Sequence, residues 1–287
     1  MNKKKLTKRQ KAIIRRNLFL SFCAVILAVI IFLTVTVVKS IKGNSGKDTS
    51  GKKDIVANES VEKQPKKITF SEAYEPADIG GKTFDANYTR LLVVNEENPL
   101  PEDYNYGANT VQIAKKYLNG GNNRFDEGAY PYLVAMIEAA WRDNVKLYVW
   151  SPYRSYNDQQ MVFENNVKSV MKEKGLNKTD AEKEVRKTVL YPGTSEHHTG
   201  LCADFNMADD RFSDTEMFTW LCNNAANYGF ILRYPSDKED ITSVDYESWH
   251  WRFVGINRAK EINSLGLCLE EFCQRAEIDN NSELLKE

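Results

Sequence analysis

The feature that most constrains this chain is Leu18 to Val38, LFLSFCAVILAVIIFLTVTVV, a run of 21 residues without a charge, a glycine or a proline. As a helix rising 1.5 Å per residue it would be roughly 31 Å long, enough to cross the hydrocarbon core of a bilayer. A buried helix of a soluble protein keeps a polar face, and this run has almost none. A cleaved leader has a shorter apolar region, about 7–15 residues, closed by a small-x-small site. Val37-Val38-Lys39-Ser40 offers no such site. The sequence therefore predicts one uncleaved transmembrane helix over 18–38.

The charges divide at that helix. Residues 1–17 hold eight Lys or Arg (Lys3, Lys4, Lys5, Lys8, Arg9, Lys11, Arg15 and Arg16) and no acid, whereas all 40 acids lie beyond Val38. The positive-inside rule places the basic end in the cytoplasm and the remainder outside, as a single-pass membrane protein. The overall net charge of −1 argues against a nucleic-acid partner, whose phosphates need a basic excess. Residues 39–67 are rich in Lys, Gly, Ser and Asn and lack apolar periodicity, so they read as a flexible linker with an r.m.s. reach of about 30 Å. Residues 68–287 are left as one extracellular folded domain, with no obligate protein partner implied. Of the five cysteines, Cys23 lies in the apolar run. Cys202, Cys222, Cys268 and Cys273 permit disulfides outside a cell without fixing a pairing. None forms a CxxC pair, which disfavours a thiolate zinc finger.

Within that domain, Leu91-Leu92-Val93-Val94 suggests a strand inside irregular chain. Leu133, Met136, Ile137, Ala140 and Trp141 recur at helical spacing and predict a helix from about Ala129 to Asp143. Val145 to Trp150 alternates as a strand. SPYRS then makes a turn, and Asn157 or Asp158 caps a helix to about Lys174. A charged helix over roughly Lys178 to Val189, capped by Thr179, precedes a loop and a strand near Leu201 to Asn206. Asp214 to Tyr228 reads as a helix stopped by Gly229, followed by a strand from Phe230 to Arg233. Glu247 to Val254 reads as another strand, with helices at Ile256 to Leu265 and Leu269 to Ala276. Short strands and helices with uneven connections predict an α+β fold.

Candidate chemistry concentrates where the histidines are. The chain has only three: His197 and His198 in TSEHHTGLCADF, and His250 in YESWHWRF. A catalytic zinc site uses three N or O ligands and leaves one position open for water. One histidine of the pair, His250 and the carboxylate of Asp204 could supply them. Glu247, three residues before His250, could handle protons beside the metal. Strand parity favours His198 with Asp204, although Gly200 between them can break the period. A lone histidine is more often a satisfied core or surface residue than a ligand, but here every histidine falls in two such segments.

SPYRS, SEHHTGLCADF and ESWHWRFVG together resemble the motif set of VanY-type D-alanyl-D-alanine carboxypeptidases. These belong to the wider group of lysostaphin, D-Ala-D-Ala metallopeptidases and sonic hedgehog. The family pattern is S-x-H-x-x-G-x-x-x-D followed by E-x-W-H, with an upstream Y-R-S and a nearby Gln. The likeness runs from about Leu91 to Phe272. It implies a small central antiparallel sheet flanked by helices, and Zn2+ held by His197, Asp204 and His250, with Glu247 as catalytic base. It further implies that Arg154 stabilises an oxyanion or holds a substrate carboxylate, that Gln159 or Gln160 binds substrate, and that Ser195 and Trp249 shape the pocket. His198 is expected behind the site or at the surface, and Cys202, where the family has a small residue, in packing alone. The implied activity is hydrolysis of the bond before a terminal D-alanine of peptidoglycan stem peptides. The alternatives are L,D-carboxypeptidase cleavage of tetrapeptide stems, a noncatalytic zinc-stabilised wall-binding module, or a plain structural ectodomain.

Overall fold

A computed structural model describes residues 77–79 and 81–284. The expected cytoplasmic segment 1–17, transmembrane helix 18–38 and linker 39–67 lie outside the described residues. No helix among the described residues is long and apolar enough to cross a membrane.

The first strands, β1 (Ala77–Ile79) with β2 (Lys82–Phe84) and β3 (Thr110–Gln112) with β4 (Arg124–Asp126), form two antiparallel ribbons. The main sheet has four antiparallel strands, β5 (Val149–Ser151), β6 (Cys202–Phe205), β7 (Phe230–Leu232) and β8 (His250–Phe253), in the order β5-β6-β8-β7. Eight α-helices accompany it among the described residues: α1 (Tyr130–Arg142), α2 (Tyr156–Lys174), α3 (Lys178–Val185), α4 (Glu216–Asn224), α5 (Glu239–Thr242), α6 (Ile256–Leu265), α7 (Leu269–Arg275) and α8 (Asn280–Leu284). The expected α+β architecture with a small antiparallel sheet is what forms.

Strand alternation gives the sheet two different faces. Ala203 and Phe205 of β6 and Trp251 and Phe253 of β8 join one core with Leu133, Met136, Ile137 and Ala140 of α1. The intervening residues, Cys202, Asp204, His250 and Arg252, are also buried, but they point to the other face, where the polar cluster described below is built. That face is closed by residues 91–94 and the C-terminal helices. Leu91 and Val93 pack with Ile231, Ile262, Leu269 and Phe272.

Several boundaries move for local reasons. The cap of α2 is Ser155, whose Oγ accepts from the Asp158 N–H while the Asp158 carboxylate accepts from the Ser155 N–H, so neither Asn157 nor Asp158 is the cap. The α3 cap is Asn177, not Thr179, and the helix stops at Val185, four residues short of Val189. The helix expected to Tyr228 ends at Asn224 and continues as a 3-10 turn to Gly229, whose φ of 87° is left-handed.

Leu91–Val94 is not a strand. Its alternation is real, with Leu91 and Val93 in one cluster and Leu92 and Val94 in another, but its backbone pairs with side chains instead of a ladder. The Leu91 N–H donates to Glu283, the Val93 N–H to Asn280, and the Leu92 carbonyl accepts from Arg252. Cys202, Cys222, Cys268 and Cys273 are all free thiols.

Candidate active site

The polar face of β6 and β8 supplies two candidate ligands through register alone. Asp204 and His250 are directly opposed cross-strand partners, a position that holds side chains within contact distance. His250 Nδ1 lies 3.0 Å from Asp204 Oδ1. The third comes from a turn. Glu196–Thr199 is a 3-10 turn closed by Gly200 at φ 72°. A Cβ on Gly200 would sit 3.0 Å from the Asp126 backbone nitrogen and the Thr110 methyl, so the turn needs glycine for both its conformation and its seat. Because residues 196–199 are helical and not extended, strand parity does not apply to them. His197 Nε2 is the nitrogen that faces the site, 3.6 Å from Asp204 Oδ1.

His198 faces away. Its Nδ1 donates to the Arg154 carbonyl at 2.8 Å and its Nε2 accepts from the Gly193 N–H at 3.0 Å. It is fully buried against Tyr106 and Tyr156, so it supports the site from behind and is no surface group. Burial lowers its pKa to about 4, and it stays neutral.

Each candidate ligand histidine is held at its other nitrogen. His197 Nδ1 donates to the Pro152 carbonyl at 2.7 Å, and His250 Nε2 lies 2.9 Å from Glu196 Oε1. Burial first, and the Arg154 charge second, keep the His197 pKa well below its ordinary value, leaving a neutral imidazole with a lone pair. Burial alone would raise the Asp204 carboxyl, but His197, His250 and Arg154 outweigh it and hold it below the usual range.

Glu247 reaches the same centre because β8 starts later than its sequence suggests. In a strand running from Glu247, residues 247 and 250 would face opposite sides. Instead Glu247–His250 is a turn in which the His250 N–H donates to the Glu247 carbonyl, and Glu247 Oε2 lies 3.7 Å from His250 Nδ1. Burial raises its pKa to about 8, with Asp204 adding and His250 and Arg154 opposing. Arg154 completes the group, with Nη2 at 3.6 Å from Asp204 Oδ2 and Nη1 donating to Gln159 Oε1 at 2.8 Å. Gln159 is buried and donates to the Leu190 carbonyl. Gln160 instead points outward and pairs with Glu164.

These residues share one cavity of about 430 Å3, lined also by Ser195, Trp249, Trp150, Tyr234 and Glu196. The last three carried no sequence signal. Cys202 does more than pack. Two residues before Asp204 on β6, it shares that strand's polar face, and its sulfur lies with nitrogens of His197 and His250 in a group spanning at most 4.8 Å. Burial raises its pKa and keeps it a thiol, a weak competitor for a cation.

The donor set fits zinc. Ligand atoms around a tetrahedral ion at about 2.0–2.2 Å stand roughly 3.3–3.6 Å apart, close to the 3.0 and 3.6 Å that separate Asp204 Oδ1 from the two ring nitrogens. Two imidazoles and one carboxylate make an N2O set that leaves a coordination position open.

The family model VanY, D-alanyl-D-alanine carboxypeptidase, matches residues 122–256. A D-alanyl-D-alanine carboxypeptidase of Enterococcus faecalis is 36% identical over 212 residues, covering 74% of this chain and 73% of its own. A vancomycin-resistance D,D-pentapeptidase VanY variant solved with Zn(II) superposes with a TM-score of 0.56 at 38% identity, covering 64% of this chain and 98% of its own. LdcB, an LD-carboxypeptidase, superposes equally well (TM-score 0.56) at 32% identity, covering 70% and 94%.

Proposed function

The chain belongs to the VanY family of D-alanyl-D-alanine carboxypeptidases, and from that footing we propose that it is a zinc-dependent D,D-carboxypeptidase removing the terminal D-alanine from peptidoglycan stem peptides. We further propose that residues 18–38 anchor it in the cell membrane, with residues 1–17 cytoplasmic and the catalytic domain beside the wall on a flexible linker. The observation that carries the reading is the convergence of His197 Nε2, His250 Nδ1 and Asp204 Oδ1 in a cavity that is also lined by Glu247 and Arg154. The Zn(II)-bound neighbour and a VanYB complex with D-alanine-D-alanine, at 38% identity and a TM-score of 0.56, support the choice of metal and substrate.

His197, Asp204 and His250 would hold the ion. When bound, zinc supplies Lewis-acid polarisation of the scissile carbonyl and lowers the pKa of a water toward about 7. Glu247 takes a proton from the attacking water and returns it to the leaving amine. Its pKa of about 8 belongs to the metal-free site, and a neighbouring dication favours the carboxylate form needed at neutral pH. Arg154, fixed by Gln159, aims a guanidinium at the developing oxyanion or at the substrate's terminal carboxylate. Ser195 and Trp249 border the space for the departing residue. No serine nucleophile takes part.

The test is to incubate the purified protein with tetra- and pentapeptide stems, with and without a chelator, and to weigh the products. Chelator-sensitive loss of one alanine from pentapeptide alone supports the proposal. Loss from tetrapeptide assigns L,D specificity instead, and zinc binding without hydrolysis assigns a binding module.

A further inference from the structure

The most buried carboxylate lining the cavity is one that the proposed reaction does not use. Glu196 is 1% exposed, and both of its oxygens are engaged by groups from distant parts of the chain. Oε1 takes His250 Nε2 at 2.9 Å. Oε2 accepts from Arg233 Nε and from Arg252 Nη1, each at 2.9 Å. Burying two arginines and a carboxylate is costly unless the geometry is fully satisfied, and here it is. Arg233 donates its remaining edge bidentately to Glu270 of α7, at 2.8 and 2.6 Å. Arg252 donates onward to the carbonyls of Phe253 and Leu92. Asn95 in turn donates to Glu270.

Glu196 therefore stands at the end of a rigid chain of charge-assisted hydrogen bonds that starts in the C-terminal helices, beyond the residues matched by the family model. A carboxylate fixed in this way has one free function left, which is to accept from the ring nitrogen of His250 that faces away from Asp204. We propose that Glu196 is the positioning residue of the metal centre: clamped by Arg233 and Arg252, it keeps the His250 proton on Nε2 and turns Nδ1 toward Asp204 and His197. This rests on the zinc reading above and deepens it. His197 is oriented by a neutral backbone carbonyl, whereas His250 is oriented by a carboxylate. Carboxylate partners of ligand histidines raise ligand basicity and typically change metal affinity by about 10–100-fold when removed.

Two measurements test it. In the zinc-loaded wild-type protein, imidazole 15N NMR of the three histidines should show His250 bound through Nδ1 with a protonated Nε2, and His197 bound through Nε2 with a protonated Nδ1. Binding of His250 through Nε2 overturns the inference, and this readout needs no variant to fold. The zinc dissociation constant, from competition with a chelating dye, should then rise about 10–100-fold in Glu196→Ala and less in Glu196→Gln, which keeps an acceptor for the ring. Glu270→Gln loosens Arg233 without touching His250. It should lower thermal stability and weaken zinc binding by less than Glu196→Ala does, because Arg252 still holds Glu196. A folded Glu196→Ala protein that binds zinc as tightly as wild type, or equal losses of affinity in the Glu196 and Glu270 variants, would show that the network is merely structural. Failure of the wild-type protein to bind zinc at all would instead remove the underlying reading, and this inference with it.

Discussion

Replacing Glu247 by glutamine in the metal-free protein isolates the electrostatics of the site from its catalysis. Glu247 is 5% exposed, and burial is the main reason its pKa stands at about 8 against an ordinary 4.5. Between those two values the folded protein keeps a proton that the unfolded chain has released. A raised carboxyl pKa therefore contributes stability that is complete below about pH 4.5 and is lost as pH rises through about 8. At about 1.4 kcal/mol per tenfold change, the gap between 4.5 and about 8 sets a ceiling of roughly 5 kcal/mol. Glutamine has the same shape and cannot ionise, so Glu247→Gln removes this penalty.

The variant and wild type should unfold at similar midpoints at pH 5. By pH 9 the variant should be the more stable by about 2–5 kcal/mol, an advantage of at least about 4 °C for a domain of this size. Thermal melts in excess chelator at pH 5, 7 and 9 measure it, and other titrating groups largely cancel in the difference. Saturating zinc should narrow the gap, because a dication stabilises the wild-type carboxylate. Parallel pH profiles for the two proteins, or a less stable variant at pH 9, would refute the argument that burial dominates the environment of Glu247.

Four further outcomes follow from the same geometry. Glu247→Gln should retain zinc yet lose about 10^2–10^4-fold in kcat, read from alanine release together with metal content. Arg154→Ala should lose about 10^2–10^3-fold in kcat with little change in zinc affinity, since its proposed role is charge and position rather than coordination. Gly200→Ala should destabilise by about 1–3 kcal/mol in urea unfolding, because φ is 72° and a Cβ there meets the Asp126 backbone. Removal of zinc by a chelator should abolish alanine release and zinc should restore it, while a β-lactam, which acylates serine nucleophiles, should leave turnover unchanged.

How much of this was legible in the sequence depended on whether an argument was local. Helix α6, Ile256–Leu265, has the expected bounds, because apolar spacing and the glycine that ends it lie within a few residues of each other. The choice between His197 and His198 could not be made by spacing, since parity presumes an extended chain and these residues form a 3-10 turn. The family resemblance pointed to His197, the histidine whose Nε2 faces Asp204. Leu91–Val94 misled for the opposite reason. Its apolar alternation records two packing clusters, but the groups that satisfy its backbone, Asn280, Glu283 and Arg252, lie about 160 or more residues away and leave no trace in the local pattern.

Glu196 shows the same limit at the site itself. Its neighbours in sequence, Ser195 and His197, marked the motif, yet nothing nearby reveals that a carboxylate there would be buried. Its cations are 37 and 56 residues further on, brought together by the pairing of β7 with β8 and of β6 with β8. The register of β6 with β8 therefore bears on more than the sheet. It opposes Asp204 to His250 and Cys202 to Arg252, so one alignment sets both the candidate ligand pair and the arginine that clamps Glu196. A slip of one residue would send His250 and Arg252 to the apolar face and bring Trp251 and Phe253 toward Asp204. The side chains that close the core, Ala203 and Phe205 against Trp251 and Phe253, thus specify the polar centre on the other side, because burying them correctly is what holds that alignment.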